Sequence, residues 1–212
     1  MSFDLLARHY RWMECVLAGG KLQRCRTAFV PETRAARAVL ILGEGNGRFL
    51  QAFRRVNGAA HVLCVDSSEP MLLQARRRLS KSGLALEGTE FVVADALEWD
   101  FPEDAFDLIV TNFFLDCFSR EELVSLVEKI SKAARSEAAW IISDFQIPPQ
   151  GLARFRARVI HWLMYLFFRC VTDLSAKRLS DPDAHLVRGG FRLKDRRLSD
   201  WDLLRADLWL RR

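Results

Sequence analysis

Val39-Leu40-Ile41-Leu42-Gly43-Glu44-Gly45-Asn46-Gly47-Arg48-Phe49-Leu50 joins four branched apolar residues to three alternating glycines and then to the start of an apolar helical stripe. Four successive apolar side chains leave no face for water, so residues 39–42 predict a strand buried on both sides, as in a parallel sheet covered by helices. Gly43, Gly45 and Gly47 predict a turn, and Phe49, Leu50 and Phe53 begin a helix. Such a strand, turn and helix can cradle a cofactor, because glycine lets the backbone approach a ligand and the helix start presents unpaired N–H groups. A plain structural turn has the same pattern. The dinucleotide fingerprint is not met, since Arg48 stands where its third glycine would be.

Downstream, the helix stops at Asn57-Gly58, and a second strand, His61-Val-Leu-Cys-Val, closes on Asp66-Ser67-Ser68. A carboxylate ending the strand that follows a glycine turn is placed to grip the ribose hydroxyls of a nucleoside cofactor. Ser67, Ser68 and Glu69-Pro70 also make a helix start, so a capping role for this segment stands beside the binding one. A helix over residues 70–81 turns Met71, Leu72, Ala75 and Leu79 inward and Arg76-Arg77-Arg78 outward. A third strand, Thr89-Glu-Phe-Val-Val-Ala, precedes Asp95, and a fourth, Phe106-Asp-Leu-Ile-Val-Thr, precedes Asn112-Phe-Phe-Leu-Asp116. A helix from Ser119 to about Ala134 carries Glu121 and Glu122 where the helix dipole favours acids, and a fifth strand over residues 138–143 ends at Asp144-Phe145. Polar residues therefore recur where strands end, the edge at which open α/β sheets bind ligands.

With 212 residues, half of them hydrophobic and 28% charged, the chain is large and apolar enough for one α/β domain over residues 1–212 and too apolar for disorder. The net charge of +5 is uneven: residues 151–212 carry +7 and residues 1–150 carry −2. A basic last third suits a solvated face, an anionic membrane surface or nucleic-acid phosphates. Five scattered cysteines without C-x-x-C or Cys/His spacing predict no metal site and read as reduced thiols of a cytoplasmic protein. The start, Met-Ser-Phe-Asp, is too polar for a signal peptide, and the longest apolar run, residues 159–168, is too short to cross a bilayer. Residues 3–18 set Leu5, Leu6, Tyr10, Met13, Val16 and Leu17 on one helical face, and a short helix is expected at about residues 22–30, ending at Pro31.

The glycine turn, Asp66, Asp95-Ala96 and the Asn112 loop, in this order, make the chain resemble a class I S-adenosylmethionine-dependent methyltransferase, closely over residues 39–145. The resemblance implies a Rossmann-like, doubly wound α/β fold with a seven-stranded sheet of order 3-2-1-4-5-7-6 and strand 7 antiparallel. Residues 1–38 would form an N-terminal helical lid, 39–147 the cofactor-binding core, 148–190 a helical insertion between strands 5 and 6, and 191–212 the last hairpin. It further implies that Gly43, Gly45 and Gly47, with Glu44 and Asn46 between them, bring backbone against the methionine and ribose parts of S-adenosylmethionine. Asp66 would bond the ribose hydroxyls, Asp95 would accept from the adenine amino group beside the Ala96 backbone, and Ser67 and Met71 would line the adenosine pocket. Asn112 would sit beneath the sulfonium and the transferred methyl, leaving S-adenosylhomocysteine as product. The segment Phe3-Asp-Leu-Leu-Ala-Arg-His-Tyr10 resembles the lid of ubiquinone/menaquinone-type methyltransferases, which would place Tyr10 near the cofactor. In one respect the chain departs from the family. An acidic residue often stands two places before the first glycine, where this chain has Ile41, and Glu44 is read as taking over the contact with the methionine ammonium.

Methyl transfer needs an in-line approach, exclusion of water and, for a protonated nucleophile, a base. Asp116, His9, Asp144 and His161 are the candidates, Asp116 facing the right rim but equally able to cap the helix near Ser119. Residues 152–170, long, aromatic and basic at their front, suit a helix enlarging the core, a lid over an apolar acceptor, or an interfacial helix whose Arg154, Arg156 and Arg158 face anionic headgroups. The expected partner is a small, apolar or aromatic acceptor, with peripheral membrane contact left open. A nucleic-acid methyltransferase or a non-catalytic binding protein on the same fold is the alternative. Against nucleic acid, the fourth strand's loop reads Asn-Phe-Phe-Leu, without the Asn-Pro-Pro-Tyr pattern of enzymes that methylate amino groups of nucleic acids.

Overall fold

A computed structural model describes residues 20–171 and 181–212, with the backbone alone for 163–171. Tyr10, His9 and the expected helix over residues 3–18 lie outside the described residues. Strands β1 (Ala38–Leu42), β2 (His61–Asp66), β3 (Thr89–Val93), β4 (Phe106–Asn112), β5 (Ala134–Phe145), β6 (Phe191–Ser199) and β7 (Leu204–Arg211) form a sheet of order β3-β2-β1-β4-β5-β7-β6. The first five are parallel, and β7 runs antiparallel between β5 and β6. Helices α1 (Gly20–Arg26), α2 (Arg48–Val56), α3 (Glu69–Lys81), α4 (Arg120–Ala133), α5 (Gly151–Val171) and α6 (Asp183–Arg188) connect and flank them. This is the doubly wound, Rossmann-like order that the resemblance implied.

The apolar run of β1 feeds both faces. Val39 and Ile41 enter one core with Leu22, Phe53 and Leu72 from α1, α2 and α3. Leu40 and Leu42 enter the other with Leu123, Leu126 and Ile130 of α4, Trp140 and Trp209. Each such side chain, fully withdrawn from water, contributes about 1.5–3 kcal/mol. Alternation along a central strand therefore ties the helices of both layers to one sheet.

Two boundaries differ from those expected, each for a local reason, and one capping alternative falls away. The first helix ends at Arg26, and Pro31 sits in the first turn of a separate 3-10 segment, Val30–Thr33, where its missing N–H is tolerated. β5 starts at Ala134 rather than 138, because Ala134 pairs with Phe106 ahead of a register shift, with Glu137 left-handed between the two parts. α4 is capped by a reciprocal box, Glu122 N–H to Ser119 Oγ and Ser119 N–H to the Glu122 carboxylate, so Asp116 is not its cap.

Candidate active site

The strands end in step. Leu42 is level with Val65 of β2 and Thr111 of β4, and Thr111 with Ile142 of β5. The residues just beyond, Gly43, Asp66, Asn112 and Asp144, therefore share one edge of the sheet.

Gly43, Gly45 and Gly47 are all left-handed, with φ of 63°, 62° and 82°, yet they serve different ends. A side chain at Gly43 would overlap the Phe114 ring, and one at Gly47 would stand 2.7 Å from the Ala75 backbone on α3. At Gly45 it would meet nothing within 4 Å. Gly43 and Gly47 thus hold the turn against its neighbours, and Gly45 is the glycine that faces open space. Asn46 is buried, and its carbonyl accepts from Arg78 Nε at 2.8 Å.

Asp66 ties this turn to the next helix. Its Oδ2 accepts from Gly45 N–H at 2.8 Å and its Oδ1 from Ser68 N–H at 2.9 Å. Burial raises its carboxyl above the usual range, and the two N–H groups pull it back. Each oxygen retains a lone pair for a further donor, so organising the start of α3 and gripping a hydroxyl are compatible. Ser67 is exposed beside it and Met71 is buried on the first turn of α3. After β3, Asp95 is exposed with Oδ1 accepting from Leu97 N–H at 3.0 Å, and Ala96 is buried.

Two groups at this edge are buried and incompletely paired. Glu44 is 9% exposed, and its Oε1 accepts from Leu50 N–H at 3.0 Å, satisfying a donor in the first turn of α2. Its Oε2 has no partner. Burial pushes this carboxyl up to about 7, with the Leu50 N–H and the Arg26 charge acting against it. Asn112, 7% exposed at the end of β4, has neither its amide nitrogen nor its amide oxygen paired. Leaving such groups unpaired costs about 1–3 kcal/mol each. The following Phe113 is left-handed (φ 53°), with its N–H on Ser143 O at 2.7 Å.

Beside Asn112, a 3-10 turn, Leu115–Cys117, brings Asp116 against Asp144 of β5. Asp144 is buried, and its carboxyl is hydrogen-bonded to that of Asp116. Burial raises both, and the Asp116 charge raises Asp144 further while Arg205 opposes it. The Cys117 thiol donates to Asp116 Oδ1 at 3.6 Å. At the ends of β4 and β5, the Phe113 and Phe145 rings have centroids 5.1 Å apart, and His161 of α5 stands edge-on to Phe145 at 5.8 Å. His161 is buried with Nε2 3.5 Å from Gln146 O, and burial lowers its pKa. It fastens α5 to the exit of β5.

Sequence reading singled out Asp116 and Asp144 separately, and the structure pairs them. It missed Arg26, which is buried with its guanidinium 5.1 Å from the Phe113 ring and its charge acting on Glu44. Nothing in the run Lys21, Arg24, Arg26 distinguishes this arginine; its burial follows from how α1 packs. Among the described residues no group of three or more His, Cys, Asp or Glu side chains is placed to hold a metal ion. Cys25, Cys64 and Cys117 are free thiols, and burial raises each of them, Cys25 to about 12.

Residues 39–137 match the family described as a methyltransferase domain. Over 116 residues the chain is 35% identical to the ubiquinone/menaquinone biosynthesis C-methyltransferase UbiE of Ectopseudomonas oleovorans, covering 53% of this chain and 68% of that one. The chain belongs to the class I S-adenosylmethionine-dependent methyltransferases. UbiE of Vibrio vulnificus strain YJ016 is 34% identical over 53% of this chain and 44% of its own length. A demethylmenaquinone methyltransferase of Clavibacter sepedonicus is 31% identical over 72% and 60%. The chain spans about half the length of the curated relatives it matches. In fold it is similar to the mitomycin 7-O-methyltransferase MmcR, with a TM-score of 0.70 at 17% identity over 100% of this chain and 61% of that one. It is likewise similar to the 1,6-didemethyltoxoflavin-N1-methyltransferase of Burkholderia thailandensis, a structure with bound S-adenosylhomocysteine, with a TM-score of 0.67 at 17% identity over 98% and 88%.

The edge residues fit this methyltransferase family's cofactor. A carboxylate oxygen without a partner suits an ammonium, a partnerless buried amide suits a polar group at its rim, and Gly45 leaves room where a ligand must pass close to backbone.

Proposed function

We propose that the protein binds S-adenosylmethionine along the carboxyl edge of β1, β2, β3 and β4 and transfers its methyl group to a small aromatic acceptor, with a quinone-precursor ring as the favoured class. The observation that carries the binding site is the partnerless Glu44 Oε2 beside a carboxylate, Asp66, already anchored to the glycine turn. When bound, the cofactor supplies an electrophilic methyl on a sulfonium. Glu44 would hold the methionine ammonium, Asp66 the ribose hydroxyls, Asp95 and the Ala96 backbone the adenine, with Ser67 and Met71 lining the adenosine pocket. Asn112 would face the end where methyl leaves.

The acceptor class rests on the rings of Phe113 and Phe145 beside Asn112, which exclude water and offer apolar surface to a flat substrate. Methylation at a ring carbon leaves a proton to be removed. In this reading Asp116 accepts it, and Asp144 is the positioning residue whose hydrogen-bonded carboxyl holds the Asp116 side chain in place. Burial makes that carboxylate more basic than a free aspartate, which suits proton acceptance. Relatives whose names concern quinone biosynthesis support this class. The test is incubation with methyl-deuterated cofactor and a panel of phenols, quinols and nucleic acids, read by mass spectrometry. Labelled methyl in a quinol or phenol supports the proposal; label in nucleic acid alone, or in nothing, rejects the acceptor class.

A further inference from the structure

We propose that the outward face of α5, together with Trp201 beside it, docks this protein on an anionic membrane surface. Leu152, Phe155, Val159 and Trp162 are 80%, 70%, 42% and 63% exposed. Their spacing of three, four and three residues places them on one helix face. The opposite face, which meets the protein, carries the smaller or polar Ala157 and His161, both buried. Over residues 151–162, whose side chains are described, the helix therefore turns its largest apolar side chains to solvent, a distribution that marks an interaction surface.

The rim of this stripe is basic. Arg154 and Arg158 are exposed on one flank, and residues 151–171 contain no acidic residue. Arg156 lies on the other flank, where it joins a second apolar feature. Its guanidinium pairs with Asp200 at 3.0 Å and stands 5.8 Å from the Trp201 ring. Trp201 is 65% exposed at the tip of the β6–β7 turn, where Asp200, Trp201 and Asp202 are all left-handed with φ of 54°, 61° and 58°. Three successive non-glycine residues in that region are strained, and strain of this kind persists only where the surroundings impose it. Here Asp200 is held by Lys21 at 2.6 Å as well as by Arg156. The turn thus fixes a tryptophan outward beside α5.

Exposed aromatic rings next to arginine are the chemistry of the headgroup level, where rings enter the acyl boundary and guanidinium groups meet phosphate. Among the described residues no helix is long and apolar enough to cross a membrane. The +7 charge of residues 151–212 favours anionic lipid. A second copy of the chain is the poorer occupant, because this helix offers the arginines of its mate no carboxylate. α5 follows directly on the β5 edge through Gln146 and the 40% exposed Ile147, so docking would set the Asn112–Asp116 rim close to the bilayer. The inference rests on this surface and not on the acceptor proposed above.

The experiment is flotation of the full chain with vesicles of phosphatidylcholine alone and of phosphatidylcholine mixed with phosphatidylglycerol, with and without added salt. Binding is expected to the mixed vesicles and to weaken with salt. The double variant Phe155→Glu/Trp162→Glu should lose about a hundredfold or more in affinity, and Arg154→Gln and Arg158→Gln about fivefold each. Both sets leave the buried face of α5 intact, which circular dichroism and the melting temperature check. Quenching of tryptophan emission by brominated lipid in the wild-type chain reads insertion without any variant. Absence of binding to mixed vesicles, or equal binding by the double variant, overturns the proposal. So does self-association that the double variant abolishes.

Discussion

Replacing Glu44 by glutamine keeps the acceptor for Leu50 N–H at the start of α2 and removes the ionisable group. In the wild-type chain this carboxyl titrates at about 7 against an ordinary value of 4.5. Below the lower value both folded and unfolded chains hold the proton and Glu44 exacts no penalty. Between the two values the unfolded chain has lost its proton while the folded one keeps it, so stability falls as pH rises, by about 1.4 kcal/mol per pH unit. Above the upper value the loss is constant at about 3 kcal/mol. Glu44→Gln should therefore match wild type near pH 4.5 and exceed it by up to about 3 kcal/mol at pH 8. Urea denaturation of both proteins across this range, followed by circular dichroism, measures the difference. The retained carboxylate finds its use in the cofactor: an ammonium beside Oε2 favours the ionised form, so S-adenosylmethionine binding to wild type should tighten with pH through 7 and release a proton on the acid side. The variant should bind about 10–100-fold more weakly, with no such pH dependence. A wild-type minus variant stability difference that is flat with pH would refute the reasoning, as would unchanged cofactor affinity in the variant.

Further substitutions separate the roles of the edge residues. Asp116→Asn should lower kcat about a hundredfold or more while leaving cofactor affinity within about threefold; a lost affinity with intact kcat would contradict its place as proton acceptor. Gly47→Ala forces a side chain against Ala75 at a φ of 82° and should destabilise the fold by about 2–4 kcal/mol, read as a lower urea midpoint. Gly45→Ala, strained but unobstructed, should cost less stability and more cofactor affinity, and the two variants exchanging these effects would overturn the division of labour among the glycines. Mixing Asp144→Asn with Asp116→Asn should give far less than the product of their effects on kcat if the carboxyls act as one unit, and a double-variant cycle measures this.

Much of this architecture is legible in the residues. Val39-Leu-Ile-Leu, followed by the glycine turn, reads as a strand covered on both sides, and the glycines, Asp66 and Asn112 fall at the sheet's carboxyl edge because strand ends are where polar residues interrupt apolar runs. What escapes sequence reading depends on contacts between distant segments. Gly43 and Gly47 look alike until Phe114 and Ala75 are found against them. The Asp116–Asp144 pair needs the 3-10 turn and the β5 end brought together, and Arg26 is indistinguishable from its exposed neighbours until α1 packs. The bulge at Glu137 that lengthens β5 carries no residue preference that announces it.

The central claim is that the carboxyl edge of the sheet is a cofactor site built on Glu44 and Asp66. Calorimetric titration of the wild-type chain and of Asp66→Ala with S-adenosylhomocysteine tests it most directly. The account predicts one saturable site on the wild-type chain, weakened about tenfold or more in a variant that keeps its circular-dichroism spectrum. No heat of binding to the folded wild-type chain, or equal affinity in both proteins, would contradict it.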